Sequence, residues 1–162
     1  MEVNAFLVNA FTANGSGGNP AGVVLNADHL SDQDKLSIAQ TVGFSETAFV
    51  SQDEEVDFAV SFFTVTDEVD FCGHATLATF STLYQQDLIS EGRYIQRTKA
   101  GLLGVTVAAD GRVVMEQKLP DYLGLIDFQT IAEMIGLNAE LLASTQLPVE
   151  IISTGLRDII VP

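Results

Sequence analysis

The chain has 162 residues, with 7 Lys+Arg against 22 Asp+Glu and a formal net charge of −15. Apolar residues make up 47% and charged residues 18%, which fits a packed globular core and excludes a disordered acidic tail. The negative balance argues against nucleic acid and anionic membranes as partners, because both demand positive charge. No run reaches the roughly 18 apolar residues of a membrane helix.

A single cysteine, Cys72, precludes an intrachain disulfide and fits a reducing compartment. The opening MEVNAFLVNAF has no basic start and no small-residue cleavage site, so a cytoplasmic protein is expected. Two histidines, His29 and His74, with that one cysteine are poor material for a four-ligand zinc site. No D-x-D-x-D-G calcium loop is present. No metal and no organic cofactor are expected.

In chain order, residues 3–12 are apolar and read as a strand. Residues 14–20, Asn-Gly-Ser-Gly-Gly-Asn-Pro, read as a loop with no room for a ladder. A short buried strand resumes at residues 21–25. Ser31-Asp32-Gln33-Asp34 has the form of a helix start: the hydroxyl accepts from a free amide and the acids favour the positive helix end. Leu36, Ala39 and Val42 follow at helical spacing, and Gly43 suits the left-handed stop. Residues 47–50 form a strand. Val56, Phe58, Val60 and Phe62 alternate with smaller or polar residues, which predicts a strand with one buried face.

Residues 73–86 are helical. Ala75, Leu77, Ala78, Phe80, Leu83 and Tyr84 spread around most of that helix, so it is expected at the centre, wrapped by sheet. Leu103, Val105 and Val107 lead through Asp110-Gly111 to Val113, Val114 and Met115, a hairpin pattern. Residues 128–135 place Ile131, Met134 and Ile135 on one helical face, with Asp127 as cap and Gly136 as stop. Residues 150–153 and 158–161 read as strands. Helices fall irregularly among strands, which favours an α+β architecture over a doubly wound parallel sheet. The apolar end at Ile159-Ile160-Val161-Pro162 is unlike a loose tail. It fits either a docked strand or a chain that stops inside a domain.

Three places could carry chemistry. Glu46 lies between the helix-closing Gly43 and an apolar strand, with Phe44 and Phe49 nearby. Removal from water there raises a carboxylate's pKa and suits it to proton transfer; the plain alternative is a surface Glu at a junction. In Cys72-Gly73-His74, the start of an apolar helix offers free amides for a carboxylate or enolate, and Gly73 lets a ligand approach the main chain. His74 at that positive end suits a neutral donor or acceptor, and Cys72 there is expected to be acidified into a usable base. The plain alternatives are a buried thiol and a satisfied core histidine. The loop Gly15–Pro20 lacks the P-loop lysine and does not enter a helix, so it is no nucleotide loop. The acidic runs Asp53-Glu54-Glu55 and Asp67-Glu68-Val69-Asp70 read as solvated turns.

GNPAGVV (18–24), SETAFV (45–50), the strand at 58–63, EVDFCGHATLA (68–78) and STGLRDIIVP (153–162) together resemble the PhzF-like phenazine-biosynthesis family, which has the diaminopimelate-epimerase-like fold. The resemblance implies two similar halves, each a curved, mostly antiparallel sheet around a central helix, with the starts of both helices facing a cleft. Residues 1–118 would be the N-terminal epimerase-like domain and 119–162 the beginning of the second. It implies a cofactor-independent isomerase that moves a proton on a small cyclic or amino-acid-derived carboxylate; the family's known enzyme acts on a dihydro-hydroxyanthranilate. Glu46 and His74 would be catalytic, and Gly73, Cys72 and Asn19 would line the substrate.

Family members run to roughly 260–300 residues, a two-domain length, and carry an E-D-P-A-T-G-S-like second helix start that has no counterpart here. The chain is therefore expected to be truncated, with one cleft wall and with activity absent or impaired. Two alternatives are an epimerase or racemase using Cys72 as one of two bases, and a noncatalytic assembly module. A missing half is expected to expose the inner faces of Phe62, Phe63 and the Gly73 helix, so a homodimer or larger assembly is anticipated.

Overall fold

In the computed structural model, which describes residues 2–162, the chain divides into a unit that ends at Glu116 and a second unit, Gln117–Pro162. The first unit holds strands β1 (Ala5–Ala10), β2 (Asn19–Val24), β3 (Glu46–Ser51), β4 (Phe58–Phe63), β5 (Glu68–Val69), β6 (Gly92–Thr98), β7 (Gly101–Val107) and β8 (Val113–Met115). Two helices, α1 (Asp32–Val42) and α2 (Gly73–Gln85), and a 3-10 turn at Ala27–His29 complete it. The sheet runs β1-β2-β3-β4-β6-β7-β8, with β5 paired to β4. Among the described residues, only the β2–β3 and β4–β6 pairs are parallel. These are the two places where a helix, α1 or α2, carries the chain back, as parallel pairing requires.

Pairing register sorts the side chains, because paired residues share a face and neighbours along a strand alternate. One face carries Phe6 and Val8 of β1, Ala21 and Val23 of β2, Ala48 and Val50 of β3, and Val60 and Phe62 of β4. These pack with Ala75 and Ala78 of α2 in one cluster. Further along the sheet, Phe80 and Leu83 of α2 meet Val105 and Val107 of β7. The sheet thus curls around α2, and the helix is the centre of the unit.

Thr76, Thr79 and Thr82 of the same helix are buried as well. Each hydroxyl donates to the carbonyl four residues back, at 2.8 Å to Cys72, Ala75 and Ala78 in turn. The polar atom is satisfied within the helix, which leaves the methyl free to pack.

The opposite face of the sheet is not solvent. Val24, Phe49 and Phe63 point there and pack with Ala39, beside Leu36 and Ile38 of α1. The single buried face expected for β4 is therefore corrected: Phe62 and Phe63 are both buried, on opposite sides of the sheet. The expectation that Phe62, Phe63 and the Gly73 helix lie open is corrected by the same packing. The α1 start is a full capping box between Ser31 and Asp34, and Gly43 closes the helix at φ 71.

Two other readings need correction. The loop before β2 ends earlier than expected: Asn19 and Pro20 join the ladder opposite Ala10 and Asn9. Pro20 lies near the strand's start, where its lack of an N–H is tolerated. The acidic runs are not simply solvated. Asp53, with its side chain 10% exposed, accepts from the backbone N–H of Glu55 and Val56 and from the Arg97 guanidinium of β6 at 2.7 Å. The Arg97 pairing holds its carboxyl low, at about 2. Glu68 pairs with Lys99 at 2.6 Å.

The second unit has β9 (Asp121–Ile126), α3 (Phe128–Ile135), α4 (Ala139–Ser144), β10 (Val149–Ser153) and β11 (Arg157–Ile160). The strands form an antiparallel sheet in the order β11-β10-β9. Ile131, Ala132, Leu142 and Val149 make its small core. Asp127 caps α3 through the Thr130 N–H, and Gly136 stops it. Of the apolar face expected on α3, only Ile131 is buried; Met134 and Ile135 are exposed. Among the described residues, no helix is long and apolar enough to cross a membrane.

Candidate active site

β3 begins at Glu46, and register fixes where that carboxylate points. Glu46 pairs with Ala21 of β2 and alternates with Thr47, so it shares the inner face with Ala48 and Val50, toward α2. Phe49 is on the other face, in the cluster beside α1. The expectation that Phe49 walls Glu46 is thereby corrected. The neighbour that closes on Glu46 is His74, whose Nε2 lies 3.4 Å from Glu46 Oε2. The Glu46 side chain is 22% exposed and that of His74 is 10% exposed. The approach lacks hydrogen-bond alignment, so the buried Nε2 has no hydrogen-bond partner among the described residues.

The other ring nitrogen, Nδ1, lies 3.3 Å from Cys72 Sγ. Glu46, His74 and Cys72 thus form a continuous row: carboxylate, imidazole, thiol. Cys72 is the N-cap of α2, in extended conformation, and its side chain makes no capping hydrogen bond. The first-turn amides therefore lie beside the same row, at the positive end of the helix. Gly73 keeps this approach narrow. A Cβ there would come within 3.0 Å of Met115 Cε.

The start of α2 is held from below. Thr76 Oγ1 donates to the Cys72 carbonyl at 2.8 Å and accepts from Gln96 Nε2 at 3.3 Å. Gln96 is fully buried, and its Oε1 has no hydrogen-bond partner among the described residues. From in front, the Ala100 N–H donates to the Asp70 carbonyl. Sequence reasoning missed Gln96, which sits in a strand written GRYIQRT; a polar run with two arginines carries no sign of a buried amide. Asn19 is exposed at the head of β2. It shares the face of Ala21, and therefore of Glu46, but makes no described contact with the row.

The thiol is not acidified. Burial pushes it up to about 11 from an ordinary 9.0, and the nearby Glu46 charge adds to that rise against the pull of the Ala75 and His74 amides. The helix start is thus outweighed by loss of water. Alkylation of Cys72 by iodoacetamide is expected to be slow at pH 8 and to accelerate only as pH approaches 11. The sign for stability follows: the unfolded thiol ionises near 9.0, so its contribution is whole below that pH and is lost as pH rises through about 11. That loss amounts to roughly 2–3 kcal/mol. Urea midpoints at pH 8 and pH 11 should fall further for the natural chain than for Cys72→Ser.

A cleft of about 380 Å³ lies at the other end of α2, beside Leu83 and Leu88. Its acids Asp28, Asp53 and Asp57 are engaged by the Gln52 N–H, by Arg97 and by the Ile95 N–H. They fasten strands rather than await a ligand.

A family model described as phenazine biosynthesis-like protein matches residues 8–162. The uncharacterized isomerase YfhB of Bacillus subtilis is 35% identical over 99% of this chain and 56% of its own length. The uncharacterized isomerase YddE of Escherichia coli is 33% identical over 100% and 56%. A crystal structure of the Bacillus anthracis phenazine biosynthesis protein of the PhzF family superposes with TM-score 0.86 at 36% identity, covering 100% of this chain and 56% of that one. A hydroxyproline epimerase from Agrobacterium vitis shares the fold at TM-score 0.61 and 12% identity, over 97% of this chain and 50% of its own. The chain spans about half the length of the relatives it matches.

Proposed function

The chain belongs to the phenazine biosynthesis-like protein family, and from that premise we propose that it supplies one wall of a proton-transferring isomerase site. The substrate is a small carbon acid bearing a carboxylate, cyclic or derived from an amino acid. Glu46 removes and returns the proton. The uncapped first turn of α2 receives the substrate's anionic oxygen at Gly73 and His74, and His74 steadies the Glu46 carboxylate. Asn19, on the same face at the head of β2, borders the substrate, as does Cys72.

The single observation that carries this reading is the 3.4 Å approach of Glu46 to His74 at the start of α2. A carboxylate with little access to water, an imidazole and free amides converge there, which are the parts a carbon acid needs. Chemistry of this kind runs on the side chains named, and no organic cofactor is required.

The experiment is exchange with solvent. The 162-residue protein is incubated in D2O with a dihydro-hydroxyanthranilate and with a panel of small cyclic and amino-acid-derived carboxylates. Weak incorporation of deuterium, as one wall of a site allows, is expected on a ring or α carbon of one of them, at a rate proportional to protein. Folded protein that catalyses no exchange across the panel would overturn this reading of the chain.

A further inference from the structure

We propose that Cys72 is a positioning residue: its S–H donates to His74 Nδ1 and so fixes the ring tautomer whose Nε2–H faces Glu46. The imidazole stands between the other two groups, with one of them at each ring nitrogen. Cys72 Sγ lies 3.3 Å from Nδ1, and Glu46 Oε2 lies 3.4 Å from Nε2. A neutral imidazole carries one proton, so one nitrogen donates and the other accepts. A carboxylate only accepts. With the proton on Nδ1, the bare Nε2 lone pair would face the Glu46 oxygen, acceptor against acceptor, on a side chain only 10% exposed. With the proton on Nε2, both contacts join a donor to an acceptor. Nδ1 then takes a donor, and the thiol is the group that faces it.

The thiol is built for that part. Burial holds its proton up to about 11, so at neutral pH the sulfur is an S–H and not a thiolate. Its backbone is fastened from the far side, where Thr76 Oγ1 donates to the Cys72 carbonyl at 2.8 Å and accepts from the buried Gln96 amide. At the other end of the ring, Nε2 has no hydrogen-bond partner among the described residues. A buried ring nitrogen left so is costly. Catalytic hydrogen bonds often tighten only when substrate is bound, and a modest turn of the part-exposed Glu46 side chain aligns Oε2 with the Nε2–H.

The consequence for catalysis rests on the isomerase reading; the tautomer itself does not. With Oε2 engaged by His74, Oε1 is left to take the carbon-bound proton of the substrate. The C–H electron pair stays on the substrate as an enolate, and the same oxygen returns the proton to carbon. Cys72 neither gains nor loses a proton in this step. Its part is to hold the ring that holds the base.

The test is spectroscopic. Cys72 is the chain's single cysteine, so its S–H stretch is one infrared band. At pH 7 the band is expected at lower wavenumber than that of a free thiol. His74→Phe, which keeps a ring but no nitrogen, should move it back up. Long-range 1H–15N spectra at pH 8 should show His74 protonated at Nε2 and bare at Nδ1, with the exposed His29 as reference. In Cys72→Ala the Nδ1 signal should move toward that of a ring without a donor, whereas Cys72→Ser, whose hydroxyl also donates, should keep Nδ1 hydrogen-bonded. Deuterium exchange should fall about tenfold in Cys72→Ala, the loss expected for one hydrogen bond to a charged group, and be rescued in Cys72→Ser. Circular dichroism checks that each variant is folded, and the infrared band of the natural chain needs no variant. A free-thiol band in the natural chain, a band unmoved in His74→Phe, a proton on Nδ1, or an unchanged Nδ1 signal in Cys72→Ala overturns the proposal. The expected band and tautomer without exchange refute only the reaction. Exchange with a free-thiol band refutes only the role of Cys72.

Discussion

Glu46→Gln is expected to lower carbon-proton exchange by about 10²- to 10⁴-fold, the range typical for loss of a positioned general base. The amide keeps the size of the side chain but can neither accept nor return a proton. Cys72→Ser, by contrast, should retain exchange within a few-fold. The thiol is held protonated by burial, up to about 11, so at neutral pH almost none is available as a base. The opposite pattern, with Cys72→Ser inactive and Glu46→Gln active, would replace the glutamate-based isomerase with a thiol-based epimerase. Glu46 is part-buried and Cys72 is buried; both substitutions nearly keep the side chain's size, and urea denaturation should show both variants folded.

Phe80→Ala should destabilise the first unit by about 3–5 kcal/mol, the usual cost of emptying a buried aromatic site. Phe80 is fully buried and packs with Leu83, Val105 and Val107. Its ring meets Phe58 edge-on at 5.9 Å and Tyr94 at 6.1 Å. Truncation forfeits both ring contacts as well as the buried area. Domains of this size hold only about 5–15 kcal/mol in all, so the urea midpoint should fall steeply with little change in slope. A loss below about 1 kcal/mol would contradict α2 as the centre of the unit. The same substitution lies on the helix that carries His74, so it also tests whether the site depends on that core.

Much of the fold was legible because its signals are local. Ser31 with Asp34, Asp127, Gly43 and Gly136 act within one helical turn, and each sits where its pattern placed it. The central helix was legible from apolar residues on nearly every side. What escaped notice depends on partners far along the chain. Asp53 looks solvated until Arg97 of β6 reaches it. β6 itself, with Arg93, Gln96 and Arg97, lacks an apolar alternation, because one of its inward residues is an amide whose partner is a threonine hydroxyl on α2. The three buried threonines of α2 read as polar for the same reason, since a hydroxyl bonded to its own helix leaves no trace in periodicity.

For the candidate site, sequence motifs brought out Glu46, Cys72, Gly73 and His74, and the fold brings these four to one place. Their electrostatics were less legible. The helix start argues for an acidic thiol, whereas burial, a property of the whole fold, wins at Cys72. The wall assigned to Phe49 failed because one step along a strand reverses the face.

The central claim is that Glu46 and the uncapped start of α2 form one surface for an anionic carbon acid. It is tested most directly by a 15N–1H NMR titration with anthranilate, a planar carboxylate without an acidic ring carbon. The account predicts saturable shifts concentrated at the amides of Gly73, His74, Ala75 and Glu46, and their loss when phosphate-free buffer is replaced by one rich in competing acetate. Shifts centred on the cleft at Leu83 and Leu88, or none at saturating ligand, would contradict it.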